Sequence, residues 1–179
     1  DLALQNVQAR ARSVLIWMIA NVRNQVLLTT SNKSEAAVGY TTMDGDSSGG
    51  LAPIADVPKS LIQLWLAWAA RRHSFQSIDK VLAKAASAEL RPQEDEQTDE
   101  DDLMPFDLLD QLMDNFVQRA LEPREIFERL WPVFEVRYHG DRRAFADHIA
   151  KFVRMLCRAQ WKRERFAISF RVMPFDLDP

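Results

Sequence analysis

Four of the five glycines in this 179-residue chain crowd into one stretch, at Gly39, Gly45, Gly49 and Gly50. Most of the surrounding chain carries helical spacing, so here the backbone must turn or let another group approach closely. Just upstream, Val26-Leu27-Leu28-Thr29 is an apolar run after a polar break, the pattern of a short buried strand. Asn32 then stands at a helix start with Glu35 three residues on, the spacing of a capping box. Residues 39–53 read as an extended loop. A strand that runs straight into a capped helix is a favoured place for a ligand. In open α/β sheets the crevice lies at the carboxyl ends of the strands, where backbone amides can hold phosphate.

Val7, Ala11, Val14, Leu15, Met18, Ile19 and Val22 recur at helical spacing and predict an amphipathic helix over residues 3–22. Asp56 and Pro58 open another, with Leu61, Leu64, Trp65 and Trp68 as its apolar face. Residues 85–104 read as a long acidic loop, and loops of this length inside compact domains are usually functional or mobile. Its carboxylates, crowded and unable to bury much apolar surface, are expected to be solvated or mobile without substrate. Helices follow over residues 106–117, 123–134 and 141–163, the last burying Phe145, Ile149, Phe152, Val153 and Leu156. One strand among many helices suggests the C-terminal part of an α/β sheet domain with a helical extension.

A chain that is 47% hydrophobic and 27% charged is globular rather than disordered. A net charge of −3 gives no general pull toward nucleic acid or an anionic membrane. Charge is instead segregated: seven of the ten residues 93–102 are acidic, and residues 151–171 carry seven basic side chains and one acidic. The single cysteine, Cys157, excludes an internal disulfide and suits a reducing, cytoplasmic setting. No apolar run approaches membrane-spanning length. His73, His139 and His148 have no neighbours at metal-ligand spacing, so a zinc site is not expected. The five tryptophans are most simply core or helix-contact residues. The chain begins Asp1-Leu2-Ala3 with no methionine, and is expected to be a piece of a longer protein.

Five blocks carry a specific resemblance. They are "NVQARAR" at residues 6–12, "LLTTSNKSEAAVGY" at 27–40, "GDSSGGLAPIADVPK" at 45–59, "SAELRPQEDEQTDEDDLMPFDLLD" at 87–110 and "WKRERFA" at 161–167. In this order they resemble the synthetase domain of glutamine-dependent NAD synthetases. The resemblance implies an α/β fold of the adenine-nucleotide α-hydrolase-like (Rossmann-like) kind, here its partial, mostly helical C-terminal portion. It implies ATP and Mg2+, and amidation of deamido-NAD to NAD through an adenylylated intermediate, with ammonia drawn from glutamine. The family's pyrophosphate loop and glutaminase domain are expected upstream, so residues 1–179 alone are expected to be inactive. "DSSGG" at residues 46–50 is not that loop, and Cys157 is not the glutaminase nucleophile. A homo-oligomer is implied as well, and the first helix carries more apolar positions than one face needs.

The resemblance also implies individual roles. Asn6 and Arg10, one helical turn apart, would meet deamido-NAD, as would Glu35, Lys162 and Arg163. Thr30, Lys59 and Ser87 would contact ATP, Lys59 by supporting the phosphates as pyrophosphate leaves. Asp46 would sit near the amidation centre, and Glu35 is a candidate magnesium ligand. Each has a structural alternative. The capping box accounts for Glu35, a turn for Asp46, a helix-start lysine for Lys59, and the helix dipole for Lys162 and Arg163. Gly50 stands where ammonia-dependent relatives carry an aspartate, which favours the glutamine-dependent branch. The alternatives are an ammonia-dependent NAD synthetase and a non-catalytic helical interaction module.

Overall fold

A computed structural model describes residues 2–83 and 98–177. Among them the chain is mostly helical: α1 (Leu2–Val22), α2 (Lys33–Val38), α3 (Lys59–His73), α4 (Gln76–Leu82), α5 (Asp99–Asp102), α6 (Phe106–Met113), α7 (Pro123–Phe134), α8 (Arg142–Arg158) and α9 (Gln160–Arg163). Three extended segments lie side by side, through parallel pairings of Leu28 with Leu51 and of Ala52 with Ser169. Parallel pairing of segments joined through helices is the signature of an α/β arrangement.

The 26–29 segment is not the buried strand its pattern predicts. Val26 and Leu28 are 69% and 53% exposed. The segment is paired only with residues 50–51, through the Leu27 carbonyl and the Thr29 amide, and no described element covers its outer face. The acidic stretch also differs from expectation. Thr98 caps the short helix α5 through Asp101, which places Asp99, Leu103 and Met104 inside the protein. Among the described carboxylates of the run, Asp99 is buried against expectation, whereas Glu100 and Asp101 are exposed as expected. The remainder of the acidic run lies outside the described residues.

The core is built by α2, α6, α7 and α8. Leu108, Leu109, Leu112, Ile126, Phe145 and Phe152 have no measurable exposure. Phe145 is its hub: the rings of Tyr138, Phe127 and Trp131 meet it at 5.1, 5.4 and 5.5 Å. The helix predicted over 106–117 widens into a π-turn, Asp114–Gln118. There the buried Asn115 amide donates to the Gln111 carbonyl, a side-chain bond that competes with the regular ladder.

Helix α1 packs through the face its apolar pattern does not mark. Ala9, Ser13 and Ala20 are buried, whereas Val7, Val14, Leu15, Met18 and Val22 on the opposite side are exposed. The small inner residues let the glycine loop approach: a Cβ on Gly45 would lie 3.0 Å from the Ala9 Cβ. Leu61, Leu64, Trp65 and Trp68 on α3 face outward too, and so does Trp161. Three of the five tryptophans are therefore surface residues, against expectation; Trp131 is buried and Trp17 donates to the Ser48 hydroxyl at 2.7 Å.

Candidate functional site

Helix α2 is the centre of the site, and its ends are fixed by local chemistry. The Asn32 side chain accepts the Glu35 amide, and the Glu35 carboxylate accepts the Asn32 amide, completing the capping box. Gly39 closes the helix in the left-handed region at φ 66, which favours glycine. A Cβ there would also come within 2.7 Å of the Ala159 Cβ, so the junction of α2 with α8 and α9 depends on the missing side chain.

Glu35 does more than cap. Its other oxygen accepts the Lys59 ammonium at 3.0 Å, and the two side chains are 17% and 21% exposed. That ammonium also lies 5.6 Å from the centre of the Phe106 ring. The pair is thus half sheltered between the starts of α2 and α3. Nearby, Tyr40 donates to Asp102 at 2.9 Å, and its pKa is pushed far up by burial and by that hydrogen bond. Burial likewise raises the Asp99 carboxyl, against the attraction of Lys59.

Asp46 lies in the glycine-rich loop. Its carboxylate accepts the Thr42 amide at 2.5 Å, and its carbonyl accepts the Thr29 hydroxyl at 2.6 Å. The residue as a whole is exposed, yet the carboxylate is folded back onto its own loop. The loss of water there raises its pKa above the usual carboxylate range; the backbone amides and Lys162 pull it back, and Glu35 pushes it further up. Asp46 and Thr30 line one cleft of about 260 Å3 beneath Ala9, Ser13 and Ile16 of α1.

The remaining predicted residues divide. Asn6 accepts the Thr42 hydroxyl at 3.0 Å and Arg10 donates to the Met43 carbonyl at 3.0 Å, so both tie α1 to the loop that carries Asp46. Lys162 donates to the Gly39 and Thr41 carbonyls at 2.7 and 2.6 Å; its pKa is lowered by burial and partly restored by Asp46. Arg163 points elsewhere. It donates to the Ala37 and Leu156 carbonyls and lines a separate cavity of about 420 Å3 with Lys33 and Asp56. The adjacent basic residues therefore do not act on one place. Ser87 lies outside the described residues.

Both oxygens of Glu35, the candidate magnesium ligand, are engaged within the protein. One oxygen is held by the Lys59 ammonium and the other by the Asn32 amide. Among the described residues no three His, Cys, Asp or Glu side chains gather as ligands.

The sequence reading misses Ser34 and Asp110, although both lie in blocks that carry the resemblance. The Asp110 carboxylate accepts the Ser34 hydroxyl at 2.5 Å and the Ser60 amide at 3.1 Å, and the Ser34 oxygen accepts the Lys59 amide at 2.8 Å. A signal was available: Asp110 falls four residues after Phe106 and three before Met113, a carboxylate on an otherwise buried helix face.

The chain is similar to proteins of known family. Over 175 residues the chain is 45% identical to a glutamine-dependent NAD(+) synthetase of Synechocystis sp., covering 96% of this chain and 28% of that protein. It is 37% identical to the one of Aquifex aeolicus, covering 96% and 27%. The crystal structure of a glutamine-dependent NAD(+) synthetase from Cytophaga hutchinsonii superimposes with a TM-score of 0.77 at 37% identity, covering 100% of this chain and 27% of that one. The chain thus spans little more than a quarter of the length of these relatives. Its fold is that of their synthetase domain, adenine-nucleotide α-hydrolase-like. The family model described as NAD synthase matches residues 1–139, the span holding α1, the glycine loop, the Glu35–Lys59 pair and Asp110, and the chain belongs to the NAD synthase family.

Proposed function

We propose that this chain supplies the C-terminal part of the synthetase domain of a glutamine-dependent NAD synthetase, the glutaminase domain and pyrophosphate loop being supplied from upstream. The observation that carries the reading is the Glu35–Lys59 pair at 3.0 Å, its carboxylate within electrostatic reach of Asp46, in a chain of this family. In the first step an oxygen of the nicotinate carboxylate of deamido-NAD attacks the α-phosphorus of ATP, and pyrophosphate leaves. The Lys59 ammonium offsets charge building on the departing phosphates. In the second step ammonia adds to the acyl carbon and AMP departs with the former carboxylate oxygen. The nitrogen sheds a proton, and Asp46, deprotonated, is the group to accept it.

Thr30 and Ser87 serve ATP in this reading, while Asn6, Arg10, Glu35 and Lys162 serve deamido-NAD. Arg163, which the resemblance also assigns to deamido-NAD, instead holds the carbonyl end of α2 in this structure. ATP brings Mg2+ as its counter-ion, for which the described residues offer no ready ligand set. A homo-oligomer is part of the reading, supported by the outward apolar stripe of α1. No helix among the described residues is long and apolar enough to cross a membrane, in keeping with a cytoplasmic enzyme.

The test uses the intact gene product with ATP and deamido-NAD, supplied with glutamine or with ammonium. The expected result is pyrophosphate release that requires deamido-NAD and is followed by NAD with either nitrogen source. NAD formed only with ammonium would support the ammonia-dependent alternative. Absence of nucleotide binding would leave the helical interaction module.

A further inference from the structure

Asp110 is a half-buried carboxylate to which the proposed chemistry assigns no part. It projects from α6, whose neighbouring Leu109 and Leu112 are completely buried, so it stands on the firmest part of the molecule. Burial raises its pKa, and no basic side chain pairs with it among the described residues. Such a group costs free energy to bury, and its hydrogen bonds must repay that cost.

Those bonds converge on the Glu35–Lys59 pair. One Asp110 oxygen accepts the Ser34 hydroxyl at 2.5 Å. The other accepts both the Ser60 amide, at 3.1 Å, and the Ser60 hydroxyl. Ser34 is fully buried, and its oxygen accepts the Lys59 amide at 2.8 Å. Helix α3 begins behind Pro58, which has no side chain able to cap it. The first two amide donors of α3 are therefore satisfied from outside, by a serine of α2 and a carboxylate of α6. Ser34 precedes Glu35, and Ser60 follows Lys59. A single carboxylate thus fixes the backbone on both sides of the ion pair. An amide could accept on only one of its two arms, so asparagine at this position is not equivalent.

We propose that Asp110 is a positioning residue that sets the Lys59 ammonium against Glu35 and hence against the phosphates. This rests on the nucleotide role proposed for Lys59. A displacement of about 1 Å at a charge-stabilising group costs on the order of a hundredfold in rate.

The experiment measures single-turnover pyrophosphate release by the intact gene product for Asp110→Asn, Lys59→Met and the double variant, with thermal unfolding of all three. Asp110→Asn is expected to slow release by about tenfold to a hundredfold at saturating ATP, with KM for ATP little changed. In the Lys59→Met background it should add less than about twofold, because nothing remains to be positioned. The unfolding shifts should likewise be non-additive. An undiminished rate in Asp110→Asn overturns the inference, and so does a full additional loss in the Lys59→Met background, which marks a general structural effect. If Lys59→Met leaves the rate intact while the unfolding shifts stay coupled, the nucleotide role of Lys59 fails and the positioning by Asp110 stands. If Asp110→Asn does not fold, Ser34→Ala replaces it, since it removes the acceptor of the Lys59 amide and is held to the same outcomes.

Discussion

Lys33 and Asp56 form an ion pair at 2.9 Å with their side chains 1% and 5% exposed, joining the first turn of α2 to the loop ahead of α3. The ammonium also donates to the Phe175 carbonyl and lies 3.7 Å from the centre of the Phe175 ring. The second Asp56 oxygen accepts the Val172 and Met173 amides, both at 2.8 Å. Three distant segments meet on two side chains. Lys33→Met strands a buried carboxylate and should cost about 3–5 kcal/mol in denaturant unfolding. Lys33→Met with Asp56→Asn should recover part of the loss, because the amide oxygen still accepts from the tail. A double variant no more stable than the single one would contradict this account.

Lys59 and Asp46 should separate the two steps of the proposed reaction. Lys59→Ala removes one transition-state contact and is expected to slow pyrophosphate release by about a hundredfold. Asp46→Asn should leave that release largely intact and slow NAD formation by about tenfold or more. Parallel single-turnover assays of the two products check the division. Equal losses in both products for both variants would refute it.

The pH profile gives Asp46 a second test. Burial holds its carboxyl above the ordinary value, so it takes up its proton at a higher pH than a free aspartate does. As pH falls through that raised value the base is lost, and amidation should decline while adenylylation continues. Asp46→Asn should abolish that acid limb. A limb that persists in the variant assigns it to another group.

His148 makes stability depend on pH in the opposite sense to a paired histidine. Burial, and then the nearby Lys151, lower its pKa from 6.5, and Asp147 offsets them only in part. Its ring nitrogen is engaged with the Tyr138 hydroxyl. The unfolded chain therefore binds the proton more readily, and this group's contribution falls as pH drops from about 6.5 toward the lowered value. His148→Gln should flatten the unfolding midpoint across that window. An unchanged slope would exclude the residue as its source.

What the sequence makes legible follows from how local each signal is. The Asn32–Glu35 capping box and the buried stripe of Phe145, Ile149, Phe152 and Leu156 depend only on residues a few positions apart, and both are as read except that Val153 in the stripe is only half-buried. The exposed 26–29 segment and the outward faces of α1 and α3 could not be read this way. Periodicity marks an apolar face but carries no information about which neighbour is present to cover it. The site divides on the same line. Glu35 and Lys59 come from blocks that carry the resemblance, but the divergence of Lys162 and Arg163 depends on α9 crossing the end of α2. The place of Asp110 on a buried helix face was legible, but what it holds was not, because its partners lie 76 and 50 residues away.

Asp56 and Val172 are 116 residues apart, and the parallel pairing of Ala52 with Ser169 spans a similar length of chain. A ribosome emitting this chain would deliver the glycine loop and α2 long before the segment that lies alongside them. Until then Lys33 and Asp56 would have only each other, in water, where an exposed pair is worth little. Closing so long a loop is paid in entropy before any contact rewards it, so the crevice should be among the last parts to set. Pulse-labelled amide exchange during refolding would show α7 and α8 protected early and Ala52, whose amide donates to the Ile168 carbonyl, late. Completion of the cavity that Lys33, Asp56 and Arg163 line would then coincide with arrival of the tail.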